Sequence, residues 1–279
     1  MRTFSLKLVQ PVGEGAFTAF YNNNDRMEID YQDLSKDIVA RRGRDWDNYF
    51  PNYAAAVAAA DVCGTSGTCD DAYWNASGLR KDVLGYVALD LPFGRLRWTA
   101  TGYFHRNDGQ GLWGTPYVAS PGGAPLSIRT TEYDLGRKGL VTALAWTAGD
   151  HEIEGGIWHE TNDFVQARRF YAEPSRGFAT RSFEDFQTNP FRTDWEYDFD
   201  TTTTVFHLQD SWSVGDAVSL NYGFRSVRSE NEAETVVGAV KTGTIEAEEP
   251  FLPQIGVNWA IGDNLELFTS LAKNVRTFA

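Results

Sequence analysis

Apolar and polar residues alternate along most of the chain with a period of two. In 95–106, RLRWTATGYFHR, one side carries Leu96, Trp98, Ala100, Gly102 and Phe104. The other carries Arg97, Thr99, Thr101, Tyr103 and His105. In 82–91, Val83, Gly85, Val87, Leu89 and Leu91 oppose Asp82, Tyr86 and Asp90. In 203–212, Phe206, Leu208 and Trp212 oppose His207, Gln209 and Ser211, and in 217–226, Val218, Leu220, Tyr222 and Phe224 oppose Ser219, Asn221 and Arg225. Side chains of a strand point alternately to its two faces, so the pattern marks strands with one apolar face. It predicts ten of them, near 2–10, 16–23, 81–91, 95–106, 130–147, 151–162, 200–213, 217–230, 250–260 and 265–276.

The connections fall into two kinds that alternate. Short ones lie at 11–15, 91–94, 148–150, 214–216 and 261–263, and Gly-Asp recurs in three of them: 149–150, 215–216 and 262–263. A glycine at the first turn position supplies the positive φ of a tight hairpin. Long ones cover 24–80, 107–129, 163–199 and 231–249. In an up-and-down meander all short turns then lie at one end and all long loops at the other. Loops this long are uncommon in a compact soluble domain. They are ordinary in transmembrane barrels, whose periplasmic turns are short and extracellular loops long. Several strands have roughly the ten residues that a tilted strand needs to cross a bilayer. Trp98, Phe104, Trp146, Trp212, Phe224 and Trp259 near strand ends suit aromatic girdles. A soluble β-sandwich with those aromatics in its core is the competing architecture.

Composition narrows this further. The 279 residues hold 25 Lys+Arg against 38 Asp+Glu, a net charge of −13, which excludes the basic footprint of a nucleic-acid binder. Aromatics at 14% exclude a disordered acidic chain. No apolar run is long enough for a membrane helix, but a barrel keeps its mean hydropathy low, here −0.39. The start, MRTFSLKLVQ, lacks the charged-then-apolar order of a signal peptide, so the chain reads as cytosolic or as a piece of something longer.

Cys63 and Cys69, in CGTSGTC, have neither redox-motif nor zinc-site spacing, and are expected to form a local disulfide. Residues 51–62, PNYAAAVAAADV, are the one expected helix. Gly13-Glu14-Gly15 lacks the third glycine of a dinucleotide loop, and no GxSxG, Walker A or HExxH is present. His151 and His159 are eight residues apart, too far along one strand to share a metal. Asp194, Asp198 and Asp200 lack the glycine and terminal glutamate of an EF-hand loop. No catalytic set, metal site or cofactor is expected.

The C-terminal third carries an ordered series: Gln209-Asp210-Ser211-Trp212, Leu220-Asn221-Tyr222-Gly223-Phe224-Arg225, Phe251-Leu252-Pro253-Gln254-Ile255-Gly256, and Leu267-Phe268-Thr269-Ser270 running on to Arg276. It resembles the barrel of TonB-dependent outer-membrane receptors over about residues 203–278. Gln254 stands where that family often has Arg, Val275 where it often has Phe, and Thr277-Phe278 replace its usual ending. The resemblance implies an all-β fold, an antiparallel transmembrane up-and-down β-barrel. This chain would be an internal piece of about ten strands, with open first and last edges and without the family's plug domain. Trp212, Leu220, Tyr222 and Phe224 would then face lipid, and Gln209, Ser211, Asn221 and Arg225 the lumen.

The family resemblance also implies function: energised import of a scarce, bulky solute such as a ferric siderophore, cobalamin or an oligosaccharide across the bacterial outer membrane. Implied partners are the TonB energy-transducing complex, engaged through the N-terminal plug region, the imported solute, and outer-membrane lipid with lipopolysaccharide. A passive porin-like channel and a soluble carbohydrate-binding module are the alternatives. The long loops combine aromatics with arginines, a composition that suits a large anionic or ring-bearing ligand through stacking, cation–π contact and bidentate hydrogen bonds. Candidate ligand residues are Arg44, Trp46, Tyr49, Tyr73, Trp74, Trp113, Arg169, Tyr171 and Trp195. The competing role for each aromatic is to pack the loops against one another.

Overall fold

The computed structural model describes residues 2–30, 34–46, 50–69 and 72–276. Ten strands form one antiparallel sheet in simple chain order. They are β1 (Arg2–Val12), β2 (Gly15–Ile29), β3 (Trp74–Phe93), β4 (Leu96–Thr115), β5 (Ser127–Ala148), β6 (His151–Ala172), β7 (Arg192–Val214), β8 (Val218–Val237), β9 (Gly243–Ala260) and β10 (Glu266–Ala272). Among the described residues β1 pairs only with β2 and β10 only with β9, so both edges are open. The meander and the number of strands are those the alternation predicts.

Three of the five short connections are tighter than expected. Val12 pairs with Gly15, Phe93 with Leu96 and Ala148 with His151, leaving the two-residue turns Gly13-Glu14, Gly94-Arg95 and Gly149-Asp150. Gly13, Gly94 and Gly149 have φ of 61°, 64° and 65°, which a Cβ would disfavour. Positive φ at the first turn residue matches the right-handed strand twist of a type II′ hairpin.

The strands run much further from these turns than the pattern suggested. The links at the other end shrink to 30–73, 116–126, 173–191 and 238–242. The last, five residues long, is no longer than the turn at 261–265. Trp74, Trp113, Arg169, Tyr171 and Trp195, expected in loops, therefore lie on β3, β4, β6 and β7. Backbone pairing continues through residues of low strand propensity. Asn107-Asp108-Gly109-Gln110 on β4, for example, pairs with Asp134 and its neighbours on β5.

The sheet has an apolar and a polar face, and the apolar one is the more exposed. Cross-strand partners place Leu6, Tyr21, Val87, Phe104, Leu140, Ile157, Phe206 and Ile255 on one face, all of them exposed. Near the short turns this face carries Trp98, Trp146, Trp212 and Trp259. The expected sidedness of the hairpin at 215–217 holds: Trp212 opposes Leu220, and Ser211 opposes Asn221. Asp210 lies on the apolar face opposite Tyr222, where it accepts from the Tyr222 hydroxyl at 2.6 Å and meets His151 Nδ1 at 2.7 Å. About nine residues up from the turns the apolar face changes character: Phe104 gives way to Arg106 and Asp108, and Leu140 to Lys138 and Asp134. A soluble sandwich would bury this band; here it stands exposed, as a lipid-facing band does.

Two helices interrupt link 30–73. α2 (Tyr53–Ser66) is the expected one, shifted toward the C-terminus. Asn52 caps it by accepting from the Ala55 N–H at 2.9 Å, and Gly67 ends it in the left-handed region at φ 68°. α1 (Lys36–Arg42) was not expected, although Ser35 caps it, Asp37 opens it and Arg41-Arg42 close it. α2 buries Tyr53, Ala56, Val57, Ala60 and Cys63 against Ala72 and Leu126, with Ala179 alongside. The Cys63–Cys69 disulfide is formed and staples the end of this helix.

Candidate functional site

Strands carry their side chains with a period of two, so each residue's face above the apolar band is fixed by the register. On the polar face Trp113 of β4 pairs with Arg129 of β5, Thr131 of β5 with Arg168 of β6, and Arg168 with Trp195 of β7. The Arg129 guanidinium lies 5.5 Å from the Trp113 ring centre and 5.4 Å from that of Tyr117. The Arg168 guanidinium lies 5.4 Å from that of Trp195. Tyr73 joins the group through its hydroxyl, 2.7 Å from that of Tyr117.

Neither arginine has a carboxylate salt-bridge partner among the described residues, and the Nε of each is buried without a hydrogen-bond acceptor. Arg168 donates once, to Thr131 Oγ1 at 3.3 Å. Burial, and then repulsion from Arg129, hold the Arg168 guanidinium below its usual pKa, with Asp194 and Tyr73 acting in the opposite sense. Buried polar groups are nearly always paired, so two guanidinium groups short of acceptors among ring faces have the chemistry to receive an anion. Flat or aromatic groups on that anion would stack on the same rings.

The polar face continues this site toward the short turns. Asp82 receives Asn107 and lies 3.2 Å from His105, whose other ring nitrogen is 3.2 Å from Arg137. Tyr103 donates to Glu160 at 2.5 Å and accepts from the Trp158 indole at 2.8 Å. His207 and Gln209 both reach Glu154 at 3.1 Å.

The expected ligand residues divide. Tyr73, Trp113 and Trp195 meet in the site. Arg169 and Tyr171 lie on the opposite face, where they are engaged with other side chains. Arg169 bridges Glu132 at 2.6 Å and Glu196 at 2.8 Å, and buried Tyr171 donates to Glu132 at 2.6 Å. Burial and that bond push the Tyr171 hydroxyl pKa well up. Trp74 packs edge-on against Tyr53 at 5.7 Å and joins the core beneath the links. Trp46 contacts Phe50 and Arg42 in the segment after α1, where Arg44 is exposed. Tyr49 lies outside the described residues. Arg129, Arg168 and Tyr117 were not among the candidates. Arg129 and Arg168 share one row only through the β4–β5–β6–β7 register, which no local motif encodes.

No curated protein sequence matches the chain. Its fold matches that of the ferric citrate transporter FecA in the unliganded form, with a TM-score of 0.66 at 14% identity, over 96% of this chain and 35% of that one. It also matches the ferric-catecholate import receptor Fiu of E. coli K12, with a TM-score of 0.60 at 11% identity, over 97% and 46%. A third match is BauA, the ferric preacinetobactin receptor from Acinetobacter baumannii, with a TM-score of 0.57 at 13% identity, over 96% and 38%. The chain thus spans between about a third and a half of these structures. The model of the TonB dependent receptor-like β-barrel matches residues 14–279. The chain belongs to the TonB-dependent receptor β-barrel family.

Proposed function

We propose that residues 2–276 form part of the barrel wall and extracellular mouth of an outer-membrane receptor that imports a bulky anionic solute by energised transport. In this reading the apolar face meets lipid, the polar face lines the lumen, and the short turns are periplasmic. The Arg129–Arg168 row then stands at the external mouth. The observation that carries the reading is that pair of half-buried guanidinium groups, without a salt bridge among the described residues, between the faces of Trp113, Tyr117 and Trp195. A ferric siderophore rich in carboxylate or catecholate suits it better than a neutral oligosaccharide. The three structural neighbours are a ferric citrate transporter, a ferric-catecholate import receptor and a ferric preacinetobactin receptor, which favours the same class. Engagement of the TonB complex, through a plug segment outside this barrel wall, completes the proposal. No catalytic step is part of it.

The test is uptake of a panel of radiolabelled ferric siderophores by cells whose only receptor is the full-length protein. Uptake should require at least one ferric siderophore and should stop when a protonophore collapses the proton gradient. Uptake that persists without the gradient would instead identify a passive pore.

A further inference from the structure

The arginine site also holds two phenols placed as a pair. The Tyr73 and Tyr117 hydroxyls lie 2.7 Å apart, and the two rings meet edge-on at 6.0 Å. They come from different links: Tyr73 directly precedes β3, and Tyr117 follows β4. A bulge brings them together. Trp74 pairs with Gly114 and Ala76 with Trp113, so Asn75 has no residue opposite it on β4. Asn75 takes the left-handed region at φ 55°, and its side chain accepts from the Ala76 N–H at 2.8 Å. One extra residue in a strand turns what precedes it to the other face. Trp74 thereby joins the core beneath the links, and Tyr73 reaches Tyr117 on the side of the arginines. Beside Tyr117, the Val118 carbonyl accepts from Ser127 Oγ at 2.6 Å, which fixes the chain there.

The phenols stand among the two cations. The Arg129 guanidinium lies 5.4 Å from the Tyr117 ring centre, and Tyr73 is near enough to Arg168 to act on its charge. Tyr73 is 2% exposed and Tyr117 43%, so the pair is anchored through one ring and open through the other.

We infer that the Tyr73 and Tyr117 oxygens ligate the ferric ion of the incoming chelate directly, while Arg129 and Arg168 hold the anionic oxygens of its chelator. The spacing carries this. Oxygen ligands about 2.0 Å from a small octahedral cation lie about 2.8 Å apart when adjacent, close to the separation of the two hydroxyls. A tyrosine phenolate is a hard anionic donor, and it ligates iron in haem proteins. Each phenol gives up its proton to water as its oxygen replaces a water on the metal, and the iron stays ferric throughout. The neighbouring guanidinium groups favour the two anions so formed. Two donors leave four positions to the chelator, so the ion arrives and departs within its chelate. The inference rests on the reading of this mouth as the receiver of a ferric chelate.

The test is titration of the full-length receptor in detergent with ferric nitrilotriacetate, whose iron has two adjacent positions held by water. Binding is followed by equilibrium dialysis of radiolabelled iron, and coordination by visible absorption. The wild type should bind the chelate and gain a phenolate-to-iron charge-transfer band. Tyr73→Phe and Tyr117→Phe keep the rings and should each weaken the band. The two together should abolish it and raise Kd about tenfold. Three results would overturn the inference and leave the transport reading standing: chelate bound without the band, a band that survives in the double Phe variant, or no binding of this chelate by a receptor that binds a siderophore of the uptake panel. Failure to bind any ferric chelate would overturn both.

Discussion

Arg168 and Arg169 are neighbours in sequence and opposites in circumstance. Arg168 projects from the polar face, has Thr131 as its one hydrogen-bond partner among the described residues and lies over Trp195. Arg169 projects from the other face, under the arching link, and is clamped between Glu132 and Glu196. The same side chain is available to a ligand on one face and holds the structure together on the other. In a strand, one residue's displacement decides which. The contrast extends to the surroundings. On Arg169's side Tyr171, Phe183, Leu112 and Ile128 form a closed core. On Arg168's side the rings border polar groups that lack partners.

The largest effect that would sharpen this contrast is on stability. Arg169→Ala strands Glu132 and Glu196 in a largely buried position and should destabilise the barrel by about 3 kcal/mol, read by urea unfolding in detergent. Arg168→Ala removes a half-buried charge that has no salt bridge among the described residues and should shift the same curve by less than about 0.5 kcal/mol. Equal losses in the two variants would erase the distinction. Next in size is the covalent staple. Cys63→Ala with Cys69→Ala opens a loop of six-residue separation and should cost the cap at 53–72 about 2 kcal/mol of local stability, seen as faster amide exchange over α2 with the strands unchanged. The smallest effect is on pH. Burial, and then Glu173, push the Tyr53 hydroxyl up to about 12 from 10.0, with Arg176 opposing. A pKa raised on folding favours the folded cap fully below pH 10, and that contribution fades as pH rises from 10 toward 12. Protection of α2 amides relative to their intrinsic, base-catalysed exchange should fall in that window, and Tyr53→Phe, which cannot ionise, should not show the fall.

The number of strands, their order and the sidedness of their faces were legible because each rests on local alternation and on glycines that only a tight turn requires. The outer halves of the strands were not. Residues such as Asn107, Asp108 and Gly109 have little strand propensity and no apolar periodicity, and they pair because the hairpins below them already hold the register. The aromatic part of the site was visible at Tyr73, Trp113 and Trp195 from composition alone. Its arginines were not, since Arg129 and Arg168 lie 39 positions apart and meet only through the β5–β6 pairing. Reading residues 163–199 as a loop also concealed the alternation that separates Arg168 from Arg169. Once 151–172 is one strand, the two residues fall on opposite faces.

The most direct test of the anion-receiving mouth is equilibrium binding of a ferric siderophore, chosen from the uptake panel, to the detergent-solubilised full-length receptor. The wild type is compared with Arg129→Ala, Arg168→Ala and the double variant, each confirmed as folded by its resistance to unfolding in cold SDS. Loss of one charged hydrogen-bond donor should raise Kd by about tenfold, and loss of both by about a hundredfold. A double variant that binds with the wild-type Kd would contradict the assignment.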